Sequence, residues 1–188
     1  MNQQRIRFRI NWDKAIEAVD FLARHQNGIT QYYVGKVCYF ADKEHMLDYG
    51  RPVTGDRYIA MEYGPVPSSI RDLLNEHSDL PDEVLDNFHS HIQIKKHGKK
   101  QHINSISNGE LRHLSGSDKD YLLTALNKYG KMPFSELTRI SHDEAWEEAW
   151  EISEASVMNP ATWLNELPEE DRETAIASLT DRRVRIVV

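Results

Sequence analysis

A chain of 188 residues with 39% hydrophobic and 28% charged side chains has an ordinary globular composition and enough length to bury a core without staples or metals. Its single cysteine, Cys38, excludes an internal disulfide framework, and no apolar run approaches the ~20 residues of a bilayer span. The net charge of −7 argues against general nucleic-acid binding, which draws on Lys and Arg, and the first ten residues lack a signal-peptide apolar region, so a cytoplasmic location is expected.

In chain order, "RIRFRI" (residues 5–10) alternates charged and apolar side chains and predicts a half-buried strand. Asn11 is placed to cap a helix over "WDKAIEAVDFLARHQ", with Ile16, Val19, Leu22 and Ala23 as its apolar stripe, and Asn27-Gly28 ends it. Thr30 is the expected cap of a second helix running to about Asp48, stopped by Gly50 and Pro52. "DRYIAMEY" predicts a short strand, Gly64-Pro65 a turn, and Pro67 the start of the helix "SSIRDLLNEH". After a helix around "PDEVLDNF", the segment "HSHIQIKKHGKKQHINSI" predicts a hairpin with a basic tip.

Ser117 to Asp120 resembles a capping box opening "DKDYLLTALNKY", and Pro133 starts "PFSELTRI". Ser141 to Glu144 looks like a second box before "DEAWEEAWEIS". The helical segments "PATWLNEL" and "PEEDRETAIASL" precede a strand-like "RVRIVV" that is free to pair with the N-terminal strand. The whole reads as one α+β domain, mainly α-helical, with short antiparallel strands and hairpins and a helix-turn-helix-like segment over "FSELTRISHDEAWEEAW".

Charge is unevenly spread: residues 141–181 hold twelve Asp and Glu against one basic residue, Arg172, while "KKHGKK" and "DRRVR" are locally basic. The acidic third is either a solvated helical surface or an electrostatic face for a basic protein partner.

Chemistry-bearing motifs are sparse. His89 and His91 share one face if extended, with His97 and His102 nearby, but no Cys pair or H-E-x-x-H helix completes a site, so no metal or cofactor is expected. His142, Asp143 and Glu144 open a helix, where acids complement the macrodipole, which fits a cap better than acid–base machinery. G-x-S-x-G, Walker A and G-x-G-x-x-G motifs are absent, and no enzymatic activity is expected. A DNA-binding helix would present cations, whereas the second helix of the helix-turn-helix-like segment presents Asp143, Glu144, Glu147, Glu148 and Glu151.

The blocks "YFADKEH", "GRPVTGDRYIAMEYGPVPS" and "SHDEAW", with "LSGSDKDYLLTALNKYG" between the last two, resemble the Panacea-domain (SocA-like) antitoxin family, which is found in bacteria and phages. The resemblance runs over roughly residues 12–150, leaving 151–188 as an acidic helical extension with a terminal strand. It implies a cytoplasmic antitoxin that neutralises a toxin encoded nearby by direct protein–protein binding. Alternatives are a proteolytic adaptor delivering the toxin to a protease and a transcriptional repressor using the helix-turn-helix-like segment; neither DNA nor a membrane is expected as a partner. The glycine- and proline-punctuated run over residues 37–70 reads as a scaffold. The expected toxin contacts are the acidic helix, with Glu147, Glu148 and Glu151 and with Trp146, Trp150 and Trp163 as anchors, or the competing hairpin surface of Tyr58, Tyr63 and Pro65.

Overall fold

The computed structural model describes residues 5–181 and 185–187 of the chain. Strand β1 (Arg5–Arg7) leads into helix α1 (Trp12–His25), and Asn11 caps it as predicted, its side-chain oxygen accepting from the Lys14 N–H at 3.1 Å. Ile16, Val19, Leu22 and Ala23 are all buried, as one stripe of a surface helix should be. Gly28 turns the chain into the short strand β2 (Ile29–Thr30) and then helix α2 (Gln31–Tyr49). Thr30 occupies the N-cap of α2, but its side chain makes no capping bond.

Helix α2 is buried on nearly every side. Val34, Val37, Cys38 and Met46 lie in the core together with the charged or titratable Lys36, Asp42, Lys43 and His45. Buried polar groups require partners, so this one helix dictates much of what surrounds it. Gly50 ends it in the left-handed region at φ 65°, its N–H returning to the Met46 carbonyl at 2.8 Å.

Strands β3 (Tyr58–Met61) and β4 (Gly64–Pro67) form an antiparallel hairpin with Ile59 opposite Val66 and Met61 opposite Gly64. The reversal therefore falls at Glu62-Tyr63, and Gly64-Pro65, predicted as a turn, belongs to the return strand. The other side of β3 is taken by residues 155–158: the Ala60 N–H donates to the Ser156 carbonyl, and the Met158 N–H to the Tyr58 carbonyl, each at 2.9 Å. This leaves β4 at an edge, where the missing N–H groups of Pro65 and Pro67 are tolerated.

Helices α3 (Ser68–Leu74) and α4 (Asp82–His91) follow; His89 and His91 are on α4, not on an extended segment. Strands β5 (Ile92–His97) and β6 (Lys100–Ser105) make the predicted basic hairpin, and β2 joins them in the order β2-β6-β5. Helix α5 (Gly116–Tyr129) carries a capping box of Ser115 and Asp118, two residues before the predicted Ser117; Ser117 instead bonds His45. Helices α6 (Phe134–Ser141) and α7 (Glu144–Ile152) come next. Asp143 caps α7 by accepting from the Trp146 N–H, whereas Ser141, the predicted cap, ends α6 and donates to the Thr138 carbonyl.

A 3-10 helix (Pro160–Glu166) and helix α8 (Glu169–Asp181) lead to strand β7 (Arg185–Val187), which pairs antiparallel with β1, Arg5 opposite Val187. The two ends of the chain thus close on each other as the sequence suggests; residues 182–184 and 188 of the basic stretch and tail strand lie outside the described residues. The fold is mainly helical α+β with small antiparallel sheets, and one buried apolar cluster runs from Ile6 to Leu179. No helix among the described residues is long and apolar enough to cross a membrane.

Candidate interaction face

The three sequence blocks 39–45, 50–68 and 141–146 converge on α2. The Tyr39 hydroxyl and the Lys43 ammonium both donate to Oδ2 of Asp143 at 2.6 Å, and Lys43 also reaches Glu166 at 2.5 Å. Trp163 Nε1 donates to the Tyr39 hydroxyl at 3.1 Å. Burial would lower the Lys43 pKa, but Asp143 and Glu166 outweigh it and raise it, so the Lys43 ammonium stays charged. Burial, and then the Asp143 charge, push the Tyr39 phenol well above its ordinary value, keeping it a donor.

Asp42 accepts from the Thr54 N–H at 2.7 Å, the Thr54 hydroxyl at 2.5 Å and the Tyr58 hydroxyl at 2.8 Å. Burial raises its carboxyl to about 6 despite those donors. Asp56 accepts from the N–H groups of Ser69 at 3.0 Å and Ile70 at 2.8 Å, so the approach to β3 caps the helix that follows β4. His45 bridges the Arg51 carbonyl at 2.7 Å and the Ser117 hydroxyl at 3.0 Å, while Arg51 reaches Asp118 at 2.8 Å. The run from 50 to 68 is thereby bolted to α2, α3 and α5 by side chains whose polar ends are met.

The β3–β4 hairpin and α7 are neighbours. Trp146 Nε1 donates to the Met61 carbonyl at 3.0 Å, the His142 ring stacks on Trp146 at 3.6 Å, and the Trp150 ring stacks on Trp146 at 5.1 Å. Gly64, at φ 93°, closes the joint: a Cβ there would sit 2.3 Å from Lys36 Nζ and 2.4 Å from the Ser141 hydroxyl. Burial lowers the Lys36 ammonium to about 7, with Asp143 opposing the shift.

The outer side of this joint is apolar. Among the described residues seven large hydrophobic side chains stand exposed, and five of them, Met61, Tyr63, Phe134, Ile152 and Val157, lie on or beside the hairpin, α6 and α7. The Tyr63 and Phe134 rings are 5.4 Å apart, and Val157 bridges opposite Ile59 on the edge of β3. Glu62, Glu147, Glu151 and Glu154, all exposed, add carboxylates from the same segments.

The predicted contact residues divide by depth. Tyr63 is 53% exposed, Glu147 and Glu151 are exposed, and Trp150 is half-buried. Glu148 is half-buried and accepts from the Thr162 hydroxyl at 2.7 Å. Tyr58 and Trp163 are 3% exposed, Trp146 is 8% exposed and Pro65 is buried, so these four support the face from beneath. Met61, Phe134, Ile152 and Val157 are exposed residues that the sequence did not single out. Only Met61 was readable, as the outward phase of the "YIAM" alternation.

Elsewhere, α7 directs Trp146 inward and leaves Glu144, Glu147 and Glu151 exposed, an acidic surface for the second helix of a helix-turn-helix-like pair. His89 pairs with Glu76 at 3.0 Å, His91 with Asp20 at 2.9 Å, and the His97 and His102 rings lie 5.3 Å apart. Among the described residues no group of three or more His, Cys, Asp or Glu is arranged to hold a metal.

No curated protein and no solved structure matches this chain. A family model described as antitoxin SocA-like, Panacea domain, matches residues 34–147, more than half of the chain and all three blocks that converge on α2. The chain belongs to the SocA-like, Panacea-domain antitoxin family.

Proposed function

We propose that this protein is the antitoxin of a toxin–antitoxin pair and neutralises its toxin by direct, non-enzymatic binding in the cytoplasm, through the face that β3–β4 and α7 build together. The observation that carries this reading is the exposure of Met61, Tyr63, Phe134, Ile152 and Val157 on the neighbouring hairpin, α6, α7 and the segment paired with β3, with exposed Glu62, Glu147, Glu151 and Glu154 on the same segments. Single exposed hydrophobics are ordinary, but a gathered set rimmed by charge marks a protein-binding surface. The apolar centre supplies the hold, and the acidic rim steers a basic partner and rejects an acidic one. Membership of an antitoxin family supports a toxin as that partner.

The test is co-expression with the protein encoded beside it, scoring growth and co-purification. Growth should be restored, and the two chains should purify as a complex that inhibits the toxin in a reconstituted assay without other components. A toxin that remains active at equimolar antitoxin in that assay, yet is silenced in cells through a protease, would contradict direct neutralisation.

A further inference from the structure

Beside the proposed contact face, and sharing Met61, Tyr63 and Phe134 with it, opens a cavity of about 620 Å³ between α2, the β3–β4 hairpin, α3 and the tip of β5–β6. Its volume is in the ordinary range of small-molecule sites, roughly 300–1,000 Å³. Tyr32, Pro67, Ile70 and Leu74 are among the residues that make its walls predominantly apolar and aromatic.

Its charge is opposite to that of the protein. On a chain of net charge −7, three lining residues are full cations at neutral pH (Arg71, Lys99 and Lys100) and a fourth, Lys36, is partly charged, its ammonium lowered to about 7 by burial, against the single carboxylate of Glu62. Arg71 is engaged with Asp72 at 3.0 Å, but Lys99 and Lys100 form no ion pair among the described residues. Lys36 is 2% exposed; its ammonium has one long hydrogen bond, 3.4 Å to the Pro65 carbonyl, and stands 5.5 Å from the centre of the Tyr32 ring. An ammonium has three protons to donate, so this one is under-supplied with acceptors. Low-dielectric walls focus the field of such cations into the concavity.

We propose that this cavity is a binding site for an amphipathic organic anion: an apolar or aromatic body held between the tyrosine- and proline-lined walls, with its carboxylate, sulfonate or phosphate at the Lys99–Lys100 tip. An apolar neutral ligand would leave the positive rim uncompensated, and a small inorganic anion would leave the walls wet. The site is independent of the toxin reading, since it is tested on the isolated protein.

The probe is 8-anilinonaphthalene-1-sulfonate, an aromatic anion whose fluorescence rises on leaving water, titrated into the full chain at neutral pH. Saturable one-to-one binding is expected, displaced by decanoate and not by decanol. Charge reversal of Lys99 and Lys100 to Glu, at two exposed positions on a hairpin tip, should weaken it about tenfold while the melting temperature is unchanged. Tyr49→Ser, at an exposed aromatic outside the cavity, should leave it unaltered. Unsaturable or absent binding, equal displacement by decanol, indifference to the Lys99/Lys100 reversal, or loss with Tyr49→Ser would each overturn the proposal.

Discussion

Lys43 and Asp143, 100 residues apart in the chain, meet at 2.6 Å beneath the joint of the β3–β4 hairpin and α7. The same carboxylate accepts from Tyr39 and caps α7, so one side chain fixes where the acidic helix begins and how it seats against α2.

Asp143→Ala should therefore cost stability well beyond a surface change. It leaves Lys43 with Glu166 alone, strips the Tyr39 hydroxyl of its acceptor and removes a helix cap, together about 3 kcal/mol. Denaturant unfolding measures this, with Glu144→Ala, exposed on the same helix, as a control expected near zero.

Gly64 and Gly50 both have left-handed backbones, at φ 93° and 65°, but differ in what surrounds them. Nothing lies within 4 Å of a Cβ at Gly50, so Gly50→Ala carries only the conformational cost, about 1 kcal/mol. Gly64→Ala adds a clash with Lys36 and Ser141 and should cost about 3 kcal/mol. Equal thermal shifts for the two variants would show that the joint does not close on Gly64.

The pH dependence of folding should show two opposed carboxylates. Burial holds the Asp42 carboxyl at about 6, above the 3.8 of a free side chain. The folded state thus keeps a proton that the unfolded state releases, and its contribution, full below pH 4, is lost as pH rises to 6. For Asp118, burial acts upward, but donors from Lys14, Ser115 and Arg51 outweigh it and bring the group to about 2. Its contribution is present above pH 4 and lost as pH falls through 2. In stability–pH curves, Asp42→Asn should remove the decline between pH 4 and 6, and Asp118→Asn the loss between pH 4 and 2.

Local structure was legible where one segment decides it alone. Asn11 announces its helix, the alternation in "YIAM" gives the phase of β3, and Gly50 marks the end of α2. The strand Gly64–Pro67 was not legible, because its two prolines signal a turn, and only the pairing of residues 155–158 with β3 makes β4 an edge that tolerates them. Ser117 and Ser141 mimic N-caps by sequence, and the true caps differ by two residues because His45 claims Ser117 and α6 claims Ser141. The site was half readable. Residue type pointed to Trp146 and Trp163 as anchors, yet an aromatic side chain fits a core as well as an interface, and these two went inward to bond the Met61 carbonyl and the Tyr39 hydroxyl.

The central claim, that the face of β3–β4 and α7 holds the toxin, is tested most directly by calorimetric titration of the purified toxin with interface variants. Glu147→Lys with Glu151→Lys, and separately Tyr63→Ala, alter exposed side chains that hold no hydrogen bond or ion pair among the described residues, whereas Glu148 is bonded to Thr162 and is left intact. Each variant should melt like the native protein and bind at least about tenfold more weakly, with loss of growth protection. Native affinity in both variants would contradict the account.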